Sequence, residues 1–266
     1  MHASVIATEW MTPSLVRLVL GGAGLDGFAA VPFTDAYINA AFAPAGAPYA
    51  APFDPDDVRR RLPKEQWASR RRYTVRRWDE GARELSIDVV VHGDAGVGAP
   101  WAANARPGDV LVFTGPSGAY RPDPGADWHL MAGDESALPA IAASLEAVPA
   151  GAPVVVRLLC DGPEHELAVQ TGGALDLGWL HRAGVPEDAD LLPAAVRDLS
   201  FPPGRVHAFV HGEAGEIRAV RRHLLTDRAV ARTDLSASAY WRRHMTDEAW
   251  REVKGAFNAE MERDAA

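Results

Sequence analysis

Between residues 4 and 114 apolar and polar positions alternate with a period of two, in short runs separated by turn residues. Residues 4–8 and 15–20 read as two strands joined by the turn Thr12-Pro13-Ser14, and residues 36–42 as a third that stops before Pro44. Residues 73–78 and 84–92 flank Asp79-Glu80-Gly81 and read as a hairpin. Residues 109–114 form a sixth strand, ended by Gly115-Pro116-Ser117-Gly118. Residues 45–66, rich in Pro, Ala and Asp, read as one long loop, and loops of that length are usually functional or disordered. Six short strands without a long helix predict a small antiparallel barrel.

The pattern changes near Asp127. Residues 128–132, 154–160 and 206–210 are short apolar strands, and residues 234–241 read as a last one. Between them, residues 137–148, 191–199 and 217–225 carry apolar side chains at helical spacing. Strands alternating with helices of this length predict a doubly wound parallel sheet. The Pro- and Gly-rich residues 121–126 read as a linker, so the chain divides into a barrel domain, 1–121, and an α/β domain, 127–266. Ligands of such a sheet lie beyond the carboxyl ends of its strands. Those ends carry Gly133-Asp134-Glu135, Asp161-Gly162, Gly212-Glu213 and Tyr240-Trp241.

Composition narrows the function. The 266 residues are 47% apolar and 24% charged, with a net charge of −9, which argues against wholesale nucleic-acid binding. Cys160 is the single cysteine, which excludes an intrachain disulfide and a cysteine-held iron–sulfur cluster. The nine histidines show no metal-ligand spacing, so no metal site is expected. No signal-like start and no run of ~20 apolar residues is present, so the expectation is a cytoplasmic protein without membrane insertion. No Gly-x-Ser-x-Gly elbow supports a serine hydrolase.

Three stretches carry chemistry. In Arg71-Arg72-Tyr73-Thr74-Val75-Arg76 a guanidinium can clamp a phosphate, a Tyr two residues on can cover an aromatic ring, and a hydroxyl can bond that ring's edge. The bland alternative is a strand with surface arginines and a buried Tyr-Thr. The stretch 92–101 (His92, then Gly96-Val97-Gly98-Ala99-Pro100-Trp101) has the small residues that let backbone approach an anion; by itself it reads as a plain loop, and together with Arg71 and Tyr73 on a neighbouring strand it reads as a phosphate site. Gly133-Asp134-Glu135-Ser136-Ala137-Leu138-Pro139-Ala140 lacks the glycine-rich dinucleotide fingerprint, and an N-capping turn explains it as well.

The order and spacing of these blocks, with Gly212-Glu213-Ala214 and Ala239-Tyr240-Trp241, resemble the siderophore-interacting proteins, FAD-dependent ferric-siderophore reductases of the ferredoxin reductase superfamily. The chain departs from their usual pattern at Ala99 and Pro100, where Ser-Arg is common, at Ser136, where Thr is usual, and at Asn39-Ala40, Ala239 and His244. The resemblance implies FAD on the barrel, NADPH or NADH as hydride donor on the α/β domain, and a ferric siderophore as substrate. It implies that Arg71, Tyr73, Thr74, Val75, His92, Gly96, Val97, Gly98, Ala99, Trp101, Asp134, Ser136 and Ala137 hold FAD. Gly133, Glu135, Gly212, Glu213 and Ala214 would hold the nicotinamide nucleotide. Thr74, Tyr240 and Trp241 would flank the reacting ring. Lys64, Arg70, Arg242 and Arg243 are the cations expected to draw an anionic chelate into an otherwise repulsive field. Arg182 is a candidate partner for the 2′-phosphate of NADPH, while Asp161 beside it argues for NADH. Two other readings remain: a flavin reductase with a protein acceptor, and a non-catalytic flavin or siderophore carrier.

Overall fold

The computed structural model describes residues 1–91, 96–186 and 190–264. Two compact units emerge, Met1–Ala119 and Tyr120–Ala266.

In the first unit, β1 (His2–Thr12), β2 (Leu15–Gly21), β3 (Tyr37–Phe42), β4 (Ser69–Asp79), β5 (Glu84–Val90) and β6 (Val110–Ser117) close a barrel in the order β1-β2-β5-β4-β3-β6. All neighbouring strands are antiparallel. The period-two pattern aims Val16, Leu18 and Leu20, Ile38, Ala40 and Phe42, Leu85, Ile87 and Val89, and Leu111 and Phe113 into one core. Arg17 of β2 stands opposite Asp88 of β5 and clasps it with two 2.7 Å bonds, although Asp88 is 4% exposed. Two short helices interrupt the loops. The first, α1 (Pro55–Arg61), starts where the Asp54 side chain accepts the Asp56 amide at 2.9 Å, with Pro in the first turn. It lies inside the stretch expected to be one long loop. The second, α2 (Gly98–Asn104), follows the β5 connection.

The second unit contains β7 (Trp128–Asp134), α3 (Leu138–Glu146), β8 (Pro153–Cys160), β9 (Ala174–His181), α4 (Leu191–Arg197), β10 (Val206–Glu213), α5 (Ala214–Thr226), β11 (Leu235–Trp241) and α6 (Asp247–Arg263). Its strands run parallel in the order β11-β10-β7-β8-β9. Counted within the unit this is 3-2-1-4-5 from β9 to β11, so the winding reverses between β7 and β10. The core joins Leu130 and Ala132 of β7, Ala208 and Val210 of β10, Leu192 and Val196 of α4, and Ile217, Val220 and Leu224 of α5. The ladder between β10 and β11 slips near its end: Gly212 pairs with Ala239, but Glu213 pairs with Trp241, which leaves Tyr240 as the extra residue. Residues 121–126, expected to be a linker, are anchored within this unit. The Asp123 amide donates to His207 Nδ1 at 3.1 Å, and Arg205 binds the Asp123 carboxylate at 2.5 Å.

Candidate functional site

The barrel brings two of the sequence blocks together. On β4, Arg71 and Tyr73 share a face by their two-residue spacing, and they pair with Ala40 and Ile38 of β3. Tyr73 meets Phe42 edge-on at 6.4 Å, and Phe42 meets Trp101 of α2 at 5.6 Å, which seats the helix against the strand. A Cβ placed on Gly98 would stand 2.0 Å from the Tyr73 hydroxyl and 3.3 Å from Arg71 Cγ. Only glycine therefore lets the first turn of α2 sit beside both side chains. Gly98 and Ala99 occupy that first turn, where amides have no helical acceptor, and Pro100 takes a position whose missing N–H costs the helix nothing. Gly96 adopts φ +82° just before it. Thr74 is buried, and the Val75 amide bonds Ala36 O at 2.7 Å. A guanidinium, first-turn amides and a flat phenol around one glycine are the donor set that a pyrophosphate-linked aromatic cofactor requires, so the residues present fit FAD. His92 lies outside the described residues.

Among the expected cations, Lys64 is exposed in a short turn, and Arg70 reaches Asp56 at 3.2 Å.

In the second unit, the carboxyl ends of β7, β10 and β11 form a dense polar cluster. Asp134, expected among the cofactor residues, has both oxygens engaged inside the protein. One accepts the Ser136 amide at 2.9 Å and its hydroxyl at 2.5 Å; the other accepts the Glu213 amide at 2.9 Å and Trp241 Nε1 at 2.8 Å. Glu213 caps α5 through the amides of Gly215 and Glu216 and accepts the Arg243 amide at 3.2 Å. The Arg243 side chain binds Glu216 at 2.5 Å, so this cation is held inward. Arg242 is exposed and lies over the Phe257 ring at 5.8 Å. Tyr240 meets His211 edge-on at 5.0 Å. Gly133 and Gly212 serve packing here. A Cβ on Gly133 would stand 2.4 Å from His211 O and 2.7 Å from the Ala137 methyl. At Gly212 (φ +149°) it would stand 2.7 Å from the Asp134 carboxylate.

The comparisons with known proteins bear on both units. The profile of the siderophore-interacting FAD-binding domain matches residues 4–120, and that of the siderophore-interacting protein matches residues 126–244. The chain belongs to the siderophore-interacting protein family. An uncharacterized protein of Mycobacterium tuberculosis is 42% identical over 268 residues, covering 96% of this chain and 94% of the relative. Ferric vibriobactin reductase ViuB of Vibrio cholerae is 39% identical over 190 residues, 69% of this chain and 68% of ViuB. The crystal structure of a siderophore utilization protein from T. fusca superposes with a TM-score of 0.81 at 35% identity, covering 93% of this chain and 94% of that one.

Two features of this member of the siderophore-interacting family escape sequence reading. Glu216, inside α5, is 5% exposed, and burial together with the Asp134 charge pushes its carboxyl up to about 7. Its Oε2 has no hydrogen-bond partner. Helical spacing gives no hint of it, because the residue reads as an ordinary polar position. The other is the engagement of Arg182, whose Nη1 lies 2.6 Å from Glu135 Oε1 and 3.1 Å from Asp161 Oδ1. Cys160 beside them is buried, its thiol pushed up to about 11 by burial. Among the described residues no group of three or more His, Cys, Asp or Glu is placed to hold a metal, and no helix is long and apolar enough to cross a membrane.

Proposed function

We propose that this protein reduces ferric siderophores, with FAD as resident cofactor on the barrel and a nicotinamide nucleotide as electron donor on the α/β unit. The observation that carries this reading is the Arg71–Tyr73–Gly98 cradle, in a barrel of a FAD-binding family whose relative in Vibrio cholerae is named a ferric vibriobactin reductase. FAD, when bound, supplies the exchange between a two-electron donor and a one-electron acceptor. The chain's own contribution is binding and orientation. Arg71 neutralises the pyrophosphate, the first-turn amides of α2 add donors, and Tyr73 covers the ring. Thr74 offers its hydroxyl and amide to the ring edge. In the second unit, Asp134 holds the tips of β7, β10 and β11 in one arrangement, so that Glu135, Gly212, Glu213 and Ala214 frame the nucleotide. Lys64 and Arg70 on the barrel unit, and exposed Arg242 on the α/β unit, are each cations that attract an anionic chelate, and the iron is substrate. Arg243, bound to Glu216, acts by placing its neighbours.

The test is anaerobic. Purified protein reconstituted with FAD is mixed with NADH or NADPH and a ferric siderophore, and Fe(II) is trapped by a ferrous-specific chelator. The expected result is Fe(II) production dependent on protein, FAD and nucleotide together. A protein that takes up no FAD overturns the reading. One that binds FAD and the chelate but yields no Fe(II) is a carrier.

A further inference from the structure

The tips of β8 and β9, with Glu135 just beyond β7, extend the polar cluster along the sheet edge. Asp161 is the first residue after β8, and Arg182 the first after β9. Their backbones are tied: the Arg182 amide donates to Cys160 O and the Ala183 amide to Asp161 O, each at 2.9 Å. In a sheet wound 3-2-1-4-5, a dinucleotide lies across the switch point, and its adenosine ribose meets the end of the second strand. An acid there bonds the ribose 2′-hydroxyl; a free arginine there accommodates a 2′-phosphate. Both residue types stand at this position, and their geometry decides between them.

We propose that Asp161 selects an unmodified adenosine ribose, NADH over NADPH, because Glu135 and Asp161 hold Arg182 away from a 2′-phosphate. This rests on the reading of the α/β unit as the nicotinamide-nucleotide site. The Glu135 side chain is 5% exposed, and its bond to Arg182 is the shorter of the two. Swinging Arg182 out to a phosphate strands a buried carboxylate, which is strongly unfavourable. Asp161, at 48%, is the exposed member of the trio and presents its carboxylate to solvent. Glu164 and Glu166, 65% and 38% exposed, lie on the segment that follows Asp161. Their partners are the imidazoles of His165, at 3.5 Å, and His181, at 2.9 Å. A phosphomonoester, carrying close to two negative charges, therefore meets four carboxylates and one already engaged guanidinium.

The experiment uses the full FAD-loaded chain. Binding of 5′-AMP and of 2′,5′-ADP is measured by calorimetry, and kcat/KM is measured for NADH and NADPH, in wild type, Asp161→Ser, Asp161→Asn and Asp161→Ser/Glu135→Gln. The expected wild type binds 5′-AMP and uses NADH at least roughly tenfold better than the phosphorylated counterparts. Asp161→Ser and Asp161→Asn are expected to lower that ratio by roughly tenfold, and the double variant to lower it further by freeing Arg182. A wild type that prefers 2′,5′-ADP and NADPH overturns the inference and leaves the proposed function standing. An NADH preference unchanged in all three variants also overturns it. A chain that binds neither nucleotide and oxidises neither coenzyme overturns both this inference and the reading beneath it.

Discussion

Asp134, at the tip of β7, accepts the indole N–H of Trp241 at 2.8 Å, across 107 residues of sequence. The same carboxylate takes three further donors from Ser136 and Glu213, so one buried side chain fixes the tips of β7, β10 and β11. Removing it leaves several donors without their acceptor. We expect Asp134→Ala to cost at least ~3 kcal/mol of stability, since each orphaned buried group costs ~1–3 kcal/mol. Trp241→Phe loses one donor and should cost ~1 kcal/mol or less. Urea unfolding of both variants checks the order; equal costs would show that the carboxylate is not the hub.

Arg71→Ala should weaken FAD retention. A charge-assisted contact to pyrophosphate is worth ~1.5–3 kcal/mol, a roughly 10- to 150-fold lower affinity. Flavin occupancy after dilution and dialysis reads the effect, and a surface arginine with no such role predicts no change.

Gly98→Ala places a methyl 2.0 Å from the Tyr73 hydroxyl. The strand or the helix must give way, at a cost of ~1–3 kcal/mol. FAD titration should show at least a roughly tenfold loss of affinity. Adding Tyr73→Phe removes the clashing oxygen and leaves the next ring atom at 3.4 Å, so the double variant should recover part of the loss. Unaltered FAD affinity in Gly98→Ala would place the cofactor elsewhere.

Arg17 and Asp88 offer a test of the barrel alone. Asp88 has 1% side-chain exposure and both oxygens on one guanidinium. Arg17→Ala strands that carboxylate and should destabilise by about 3–5 kcal/mol. Arg17→Met/Asp88→Leu, which removes both charges, should be far milder. Thermal unfolding of the two variants gives the comparison.

Two buried groups tilt stability with pH in opposite senses. His211 is driven by burial from 6.5 down to about 3, so the folded state refuses a proton that the unfolded chain accepts. Its stabilisation is complete above pH 6.5 and is lost as pH falls toward 3, by up to ~1.4 kcal/mol per pH unit. His129 and His207, also lowered by burial, act in the same direction. Glu216 is raised from 4.5 to about 7, so its contribution is complete below 4.5 and is lost as pH rises through 7. His211→Gln should therefore flatten the acid limb. Glu216→Gln should gain up to roughly 3 kcal/mol at pH 8 and almost nothing at pH 4.5. Urea midpoints at pH 4.5, 6 and 8 decide both; parallel curves for variant and wild type would contradict the assignments.

The barrel was legible in the sequence because each strand buries one face, so Leu85, Ile87 and Val89, or Val16, Leu18 and Leu20, leave a clean alternation. The edge strand β9 was not legible. Its residues are exposed or half-buried, and it contains Gly178, which the Arg157 side chain approaches to 3.0 Å from a would-be Cβ. Helix α1 was masked by its Pro- and Ala-rich surroundings, although Asp54 before Pro55 is a start signal. Helix α6 buries only Trp250, Phe257 and Met261, too thin a stripe to stand out among its charges. In the candidate site, Arg71, Tyr73 and Gly98 were legible because strand spacing and small residues carry the signal locally. The capture of Arg243 by Glu216, and of Arg182 by Glu135, was not: those partners lie 27 and 47 residues apart, and only the sheet brings them together.

The extra residue in β11 has a consequence for how this end of the sheet can change. Because Tyr240 is the residue left over, Trp241 arrives beside Glu213, where its indole reaches Asp134. Which aromatic ring stands beside Glu213 is thus set by the bulge: Trp241 with it, Tyr240 if the same residues ran on in regular register. Deleting Tyr240 would close the bulge and keep Trp241 beside Glu213, whereas deleting Trp241 would bring Arg242 to that place and move His244 toward the place of Arg243. Point substitution at 240 or 241 can tune this tip gradually, whereas a length change acts according to its place: the bulge absorbs it at Tyr240, and beyond the bulge every following side chain is exchanged.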